Sequence, residues 1–214
     1  MVKALEAFKR HNGASPSRII FYRDGVGHSQ FLIIKEREIA AIRRACTIVG
    51  GDQYTPELVF IVVQKRNHCR LFHEADGQIE NALPGTVVDT VITTGAQFDF
   101  YLCSHYGLRG TSRPTHYHVL NDDVDLGADE IQRFTFDLCH LYARCTKIVS
   151  SPAPTYYAHR AAHNAHYHMS NFREEYDDGK WNVGRVHSTT AEGSAGDGVF
   201  LPVVPHMEDR LYYA

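Results

Sequence analysis

Apolar residues recur along this chain with two different periods, and the changes of period mark its elements. Val2, Leu5 and Phe8 fall at helical spacing and Asn12-Gly13 supplies a stop, which predicts a first helix. A short β-branched and aromatic strand is predicted over 19–22, running into Arg23-Asp24-Gly25. Ile39 and Ile42 share one face of a helix predicted over 37–46, which Gly50-Gly51 ends. The continuous apolar run over 58–63 is bounded by turn residues and suits a strand buried on both faces of a parallel or mixed sheet. Helix, strand, helix, strand is the order of an α/β architecture.

The middle of the chain alternates faster. Runs over 70–73, 86–89, 98–104 and 116–120 are strand-like and separated by loops containing Asp76-Gly77 and Pro84-Gly85, and they are expected on the same sheet. Residues 128–144 read as a long helix, with Ile131, Phe134, Leu138, Leu141, Tyr142 and Cys145 as its apolar stripe. A further helix is expected after Pro152-Ala153-Pro154, through Tyr156 to about Met169. From 170 to 198 the chain is polar, charged and glycine-rich, the composition of a mobile loop within a single domain spanning 1–214. Hydrophobicity returns over 199–214.

Composition changes this picture little. Formal net charge is −3, so a surface for nucleic acid has to be a local patch. Five scattered cysteines without a CxxC pair read as reduced thiols, mostly in the core, of an intracellular protein. No apolar run approaches membrane-spanning length, and no membrane partner is expected. Histidine is abundant, with 14 in all, several of them at 116, 118, 159, 163, 166 and 168.

The strand ending in Asp24 is the most chemically pointed segment. A buried strand that delivers a carboxylate to a turn places an acid at the carboxyl edge of a sheet, where it can hold Mg²⁺. A turn-capping role stands beside that reading. Three further segments mix Arg, Lys or His with Ser, Thr or Tyr: 62–72, 101–118 and 149–159. These side chains bind phosphate oxygens and stack on single-stranded bases, so strand ends carrying them form a groove suited to a nucleic-acid backbone.

Phe21-Tyr22-Arg23-Asp24-Gly25-Val26, the runs over 60–66, 98–105 and 110–119, and Pro152-Ala153-Pro154-Thr155-Tyr156-Tyr157-Ala158-His159 each resemble, in this order, the PIWI domain of eukaryotic Argonaute proteins. The likeness runs from about residue 1 to 169 and resumes at the carboxyl terminus. It implies an α/β, RNase H-like mixed sheet flanked by helices, lacking the first strands of the complete domain. It implies a small guide RNA and a target RNA as partners, cut by two-Mg²⁺ hydrolysis in an endoribonuclease of RNA silencing, in the cytoplasm or nucleus. Asp24 and His159 match the family's metal-binding, catalytic positions. Lys65, Arg66, Arg70, His105, Arg113, Arg144, Ser150 and Tyr156 match contacts to the guide backbone, and the carboxylate of Ala214 matches a carboxyl terminus beside the guide's 5′-phosphate.

Two departures limit what the resemblance implies. The family's first catalytic Asp and its Glu would precede Met1, leaving two of four ligands here. One carboxylate and one imidazole do not hold two Mg²⁺ ions, so the chain alone is not expected to cleave RNA. The family's Arg five residues beyond the catalytic His is here Asn164, which brings no charge to a phosphate. Protonated His163 or His166 is the available substitute.

A reading from another class is a noncatalytic interaction module that binds tryptophan-containing silencing partners on helices between about residues 1 and 50. A metal-dependent enzyme unrelated to RNA is disfavoured, because His116 and His118 alternate along a strand with no carboxylate at ligand spacing.

Overall fold

Strand β2 (Glu57–Gln64) is the spine of the molecule, and its two faces explain the layers around it. Leu58, Phe60 and Val62 point into one core with Phe31, Ile34, Ile39 and Ile42. Val59, Ile61 and Val63 point into a second core with Phe100, Leu102, Tyr117 and Ile131. Successive side chains of a strand face opposite ways, so an unbroken apolar run needs cover on both sides. Helices supply it, giving a helix–sheet–helix sandwich.

The structure, a computed structural model, describes residues 1–170 except Ala96 and Leu108, with the helical backbone alone described over 165–170. The polar loop expected beyond residue 170 and the carboxyl-terminal segment ending at Ala214 lie outside the described residues. The chain packs as two units, Met1–Tyr156 and Tyr157–Ala214.

The first unit opens with helix α1 (Val2–Asn12), ended by Gly13 in the left-handed conformation. Strand β1 (Arg18–Asp24) follows and pairs in parallel with β2, Asp24 opposite Val63. Between them the chain is helical from Phe31 to Gly50: α2 (Phe31–Ile34), a π turn (Lys35–Ile39) and α3 (Ala40–Gly50). The helix therefore begins six residues before its predicted start. Its buried positions are Phe31, Ile34, Ile39 and Ile42, with a five-residue step in the middle. A step of five exceeds an α-turn by one residue, and the π turn absorbs it so that all four face the sheet.

The main sheet has the order β1-β2-β7-β6-β5, with β5 (Thr86–Val88), β6 (Asp99–Cys103) and β7 (Thr115–Asp122) joined antiparallel. The run expected over 70–73 does not join it. Strand β3 (Phe72–Ala75) pairs with β4 (Gln78–Asn81) in a separate hairpin, turned by Asp76 and Gly77, both at positive φ. Only half-buried or exposed residues occupy that hairpin, so it has no apolar face to lay on the sheet.

Helix α4 (Ala128–Leu138) is shorter than its pattern predicts. The carbonyl of Cys139 accepts from the Val149 N–H at 3.1 Å, which takes it out of a helical ladder. The buried positions are Ile131, Gln132, Thr135 and Cys139, whereas Phe134 and Leu141 are 42% and 63% exposed. Helix α5 (Ala153–Ser170) starts in the first unit, as its Pro-rich entry predicts, and its residues from Tyr157 onward belong to the second.

Candidate nucleic-acid interface

Strand direction brings the chemistry to one edge of the sheet. Parallel β1 and β2 end together, so Asp24 and Gln64-Lys65 emerge side by side. Antiparallel β7 starts at that edge, with His116 opposite Gln64, and β6 ends there, releasing Ser104 and His105. The loop after α4 is tied to the same edge: Ser104 Oγ donates to Val149 O at 2.7 Å and Thr115 Oγ1 to Ser150 O at 2.6 Å. The turn after Asp24 is built for the place. Gly25 sits at φ 48 and its N–H donates to Val63 O at 2.9 Å. The Arg23 guanidinium donates to the Asp24 and Gly25 carbonyls, each at 2.6 Å, and pairs with Glu38.

An open groove of about 530 Å³ runs along this edge. Lys65, Arg109, Arg113 and Lys147 line it, with His105, Tyr106, Ser112, Ser150 and Tyr156, and no carboxylate is among its described lining residues. Local charge is thus strongly positive in a molecule of net charge −3. Tyr156 forms the wall: its hydroxyl hydrogen-bonds Ser150 Oγ at 2.8 Å, its ring stacks on Tyr142, and Lys65 Nζ stands 5.3 Å from the ring centroid. Lys65 also pairs with Asp24 at 3.0 Å. Burial lowers the pKa of His105, leaving a neutral imidazole near pH 7, and its Nδ1 has no hydrogen-bond partner among the described residues.

A second polar cluster is buried against the sheet. Asp99, His116 and His118 are buried on one face of β6 and β7. His116 Nε2 donates to Asp99 Oδ2 at 2.7 Å, and Thr94 donates to the same carboxylate from its N–H and hydroxyl. Gln64 Nε2 donates to Val26 O at 2.7 Å, so its amide oxygen faces His118 and accepts from Nε2 at 3.3 Å. Burial dominates the titration of both rings, pushing His118 down to about 3 and lowering His116 despite Asp99. Burial opposes the charge of Asp99, yet hydrogen bonds from His116 and Thr94 leave its pKa below the usual carboxylate value. Both imidazoles are neutral near pH 7 and the carboxylate is ionised.

Residues 1–170 match the family model of the Piwi domain. The chain belongs to the Piwi domain family. It is 46% identical over 216 residues to protein argonaute 1D of Oryza sativa subsp. japonica, covering 97% of this chain and 20% of that protein. The chain thus spans about a fifth of the length of such curated relatives. The C-terminal lobe of a budding yeast Argonaute superposes with a TM-score of 0.75 at 32% identity, over 80% of this chain and 37% of that one. Kluyveromyces polysporus Argonaute, solved with a guide RNA, gives 0.70 at 33%, over 77% and 22%. The α/β sheet with its flanking helices is accordingly RNase H-like.

Of the residues matched to Piwi motifs, Lys65, His105, Arg113, Ser150 and Tyr156 line the groove together. Arg66 and Arg144 are exposed and outside its lining, and Arg70 turns onto its own loop, donating to the Asn67 and Cys69 carbonyls at 3.2 and 2.5 Å. Asp24 belongs to the first unit; His159 and Asn164 lie on α5 in the second. Ala214 lies outside the described residues, as do the side chains of His166 and His168. Arg109 and Lys147 are groove cations that motif matching passes over. Arg109 was visible within the basic 101–118 segment, and Lys147 only through its nearness to Ser150. The expectation that His116 and His118 lack a carboxylate is overturned: Asp99 is 17 residues away in sequence, but β6–β7 register sets it opposite His118.

Proposed function

We propose that this chain is the guide-RNA-binding PIWI module of a small-RNA-guided silencing protein, with the edge groove as the track for the RNA backbone. The observation that carries the reading is the groove's lining of four cations, with hydroxyls and a stacked tyrosine between them and no carboxylate among the described lining residues. Lys and Arg neutralise phosphates, Ser and Thr hydroxyls donate to their oxygens, and an aromatic face receives a base. The guide RNA held by Kluyveromyces polysporus Argonaute supports the same partner. Arg66 and Arg144 are assigned to flanking phosphates, and Arg70 to shaping the 67–70 loop.

Target cleavage by two Mg²⁺ ions does not fit the donor set. Such a site needs several anionic oxygens. Among the described residues, the one group of three metal-capable side chains is Asp99, His116 and His118, and Asp24 is paired with Lys65 instead. RNA binding, with no cutting step, is therefore assigned to the chain by itself. Binding of tryptophan-containing partners is the second reading; the cleft between β1 and α3, lined by Ile19, Ile42 and Tyr54, is small at about 60 Å³.

Filter binding of a 5′-phosphorylated small RNA across a salt series tests the proposal. A steep loss of affinity with salt is expected. Salt-independent or undetectable binding overturns it.

A further inference from the structure

We propose that Asp99, His116 and His118 form a binding site for a divalent transition metal, with Zn²⁺ the best match to their chemistry. The three residues are 2%, 4% and 1% exposed, and one donor atom from each lies within 4.8 Å of the other two. Two imidazole nitrogens and one carboxylate oxygen are the donor set of three-ligand zinc sites, which keep a fourth position open. Imidazole ligands select against Mg²⁺ and Ca²⁺, which prefer oxygen.

Three observations support a cation here rather than a merely satisfied core. First, the buried Asp99 carboxylate is held by His116 and Thr94 and makes no ion pair with a Lys or Arg among the described residues. Second, outer support of the kind that orients metal ligands is in place: Thr94 fixes Asp99, while Gln64, itself held by Val26, fixes His118. Third, the spacing is near what a metal needs. Bonds of about 2.0–2.2 Å at tetrahedral angles set donor atoms roughly 3.3 Å apart. The 2.7 Å between His116 Nε2 and Asp99 Oδ2 and the 4.8 Å outer limit bracket that value, so side-chain shifts of up to about 1.5 Å complete the site. Exposed His28 packs edge-on against His118, ring centroids 4.6 Å apart, and marks where the cluster meets the surface. The proposal is independent of RNA binding.

The full chain, stripped with EDTA and dialysed, is titrated with Co²⁺ as a spectroscopic stand-in for Zn²⁺. One equivalent giving the visible absorption of low-coordinate Co²⁺, displaced by Zn²⁺ and insensitive to excess Mg²⁺, is expected. Asp99→Asn and His118→Gln should each weaken binding at least roughly tenfold. The double variant His163→Gln/His166→Gln, on α5, should keep it. Absence of the band, full binding in Asp99→Asn, or loss in the double variant overturns the proposal. Because variants at buried positions can unfold, NMR of the wild-type histidine rings provides the second readout. Zn²⁺ should shift the His116 and His118 signals, and shifts confined to other histidines overturn the proposal.

Discussion

Lys65 Nζ lies 3.0 Å from the Asp24 carboxylate, joining the residue expected to hold a metal to one expected to hold RNA. The pairing follows from parallel β1 and β2 ending at the same edge. Both side chains are about one-third exposed, so the pair contributes under about 1 kcal/mol to stability. Its larger effect is on the groove: Asp24 offsets one of the four cations. Asp24→Asn is therefore expected to tighten RNA binding, by less than about fivefold, while leaving the unfolding midpoint nearly unchanged. Weaker RNA binding in this variant, measured at fixed salt, would contradict the assignment of Lys65 to the groove.

Arg113 and Lys147 approach the groove from different loops and should act independently. Each Ala substitution should lower the slope of log affinity against log salt by about 0.7, the value for one phosphate contact to a single strand. Unchanged slopes in both variants would place the RNA elsewhere.

Acid should destabilise the metal-free protein well above the carboxylate range. His118 in the folded state takes a proton only at about pH 3, and His116 is also lowered; unfolded histidine takes one near 6.5. Between those values the unfolded chain binds more protons, so stability falls as pH drops from 6.5 toward 3. Facing charged or titratable groups are Asp99 and Tyr101 on β6 and His28 on the turn before α2; Tyr101, its pKa raised by burial, stays neutral in this range, and Asp99, with its lowered pKa, acts in the same sense at the acid end. Each histidine adds up to about 1.4 kcal/mol per pH unit. Urea midpoints at pH 7, 6 and 5, in EDTA, should decline; a flat series would show the rings exposed.

Phe60 is fully buried on β2 and stacks on Phe21, ring centroids 5.1 Å apart. Phe60→Ala should cost about 3–5 kcal/mol by leaving a cavity beneath the helices. Chemical denaturation measures it, and a loss below about 1 kcal/mol would mean that the layer repacks freely.

Sequence made the sheet's centre legible because β2 is apolar at every interior position, a pattern that few other structures accept. Asp24 was legible for a different reason: the short apolar run of β1 stops at Arg23-Asp24 and Gly25 turns the chain at once. Less visible were features that depend on a partner distant in the chain. Capture of the Cys139 carbonyl by Val149 ends α4 although apolar spacing continues to Cys145. Asp99 meets His116 through strand register, which no local spacing encodes. The π turn was hidden because a five-residue step looks like the start of a new helix until all four apolar residues are seen to face one sheet.

Gln64 gives this arrangement a mechanical property. Its amide nitrogen grips the backbone at Val26, two residues past Asp24, and its amide oxygen steadies His118. A single side chain thus spans the distance from the surface turn to the deepest polar cluster. The exposed turn after Asp24 and the most protected imidazole therefore share one anchor, and loss of the Gln64 amide would release both at once.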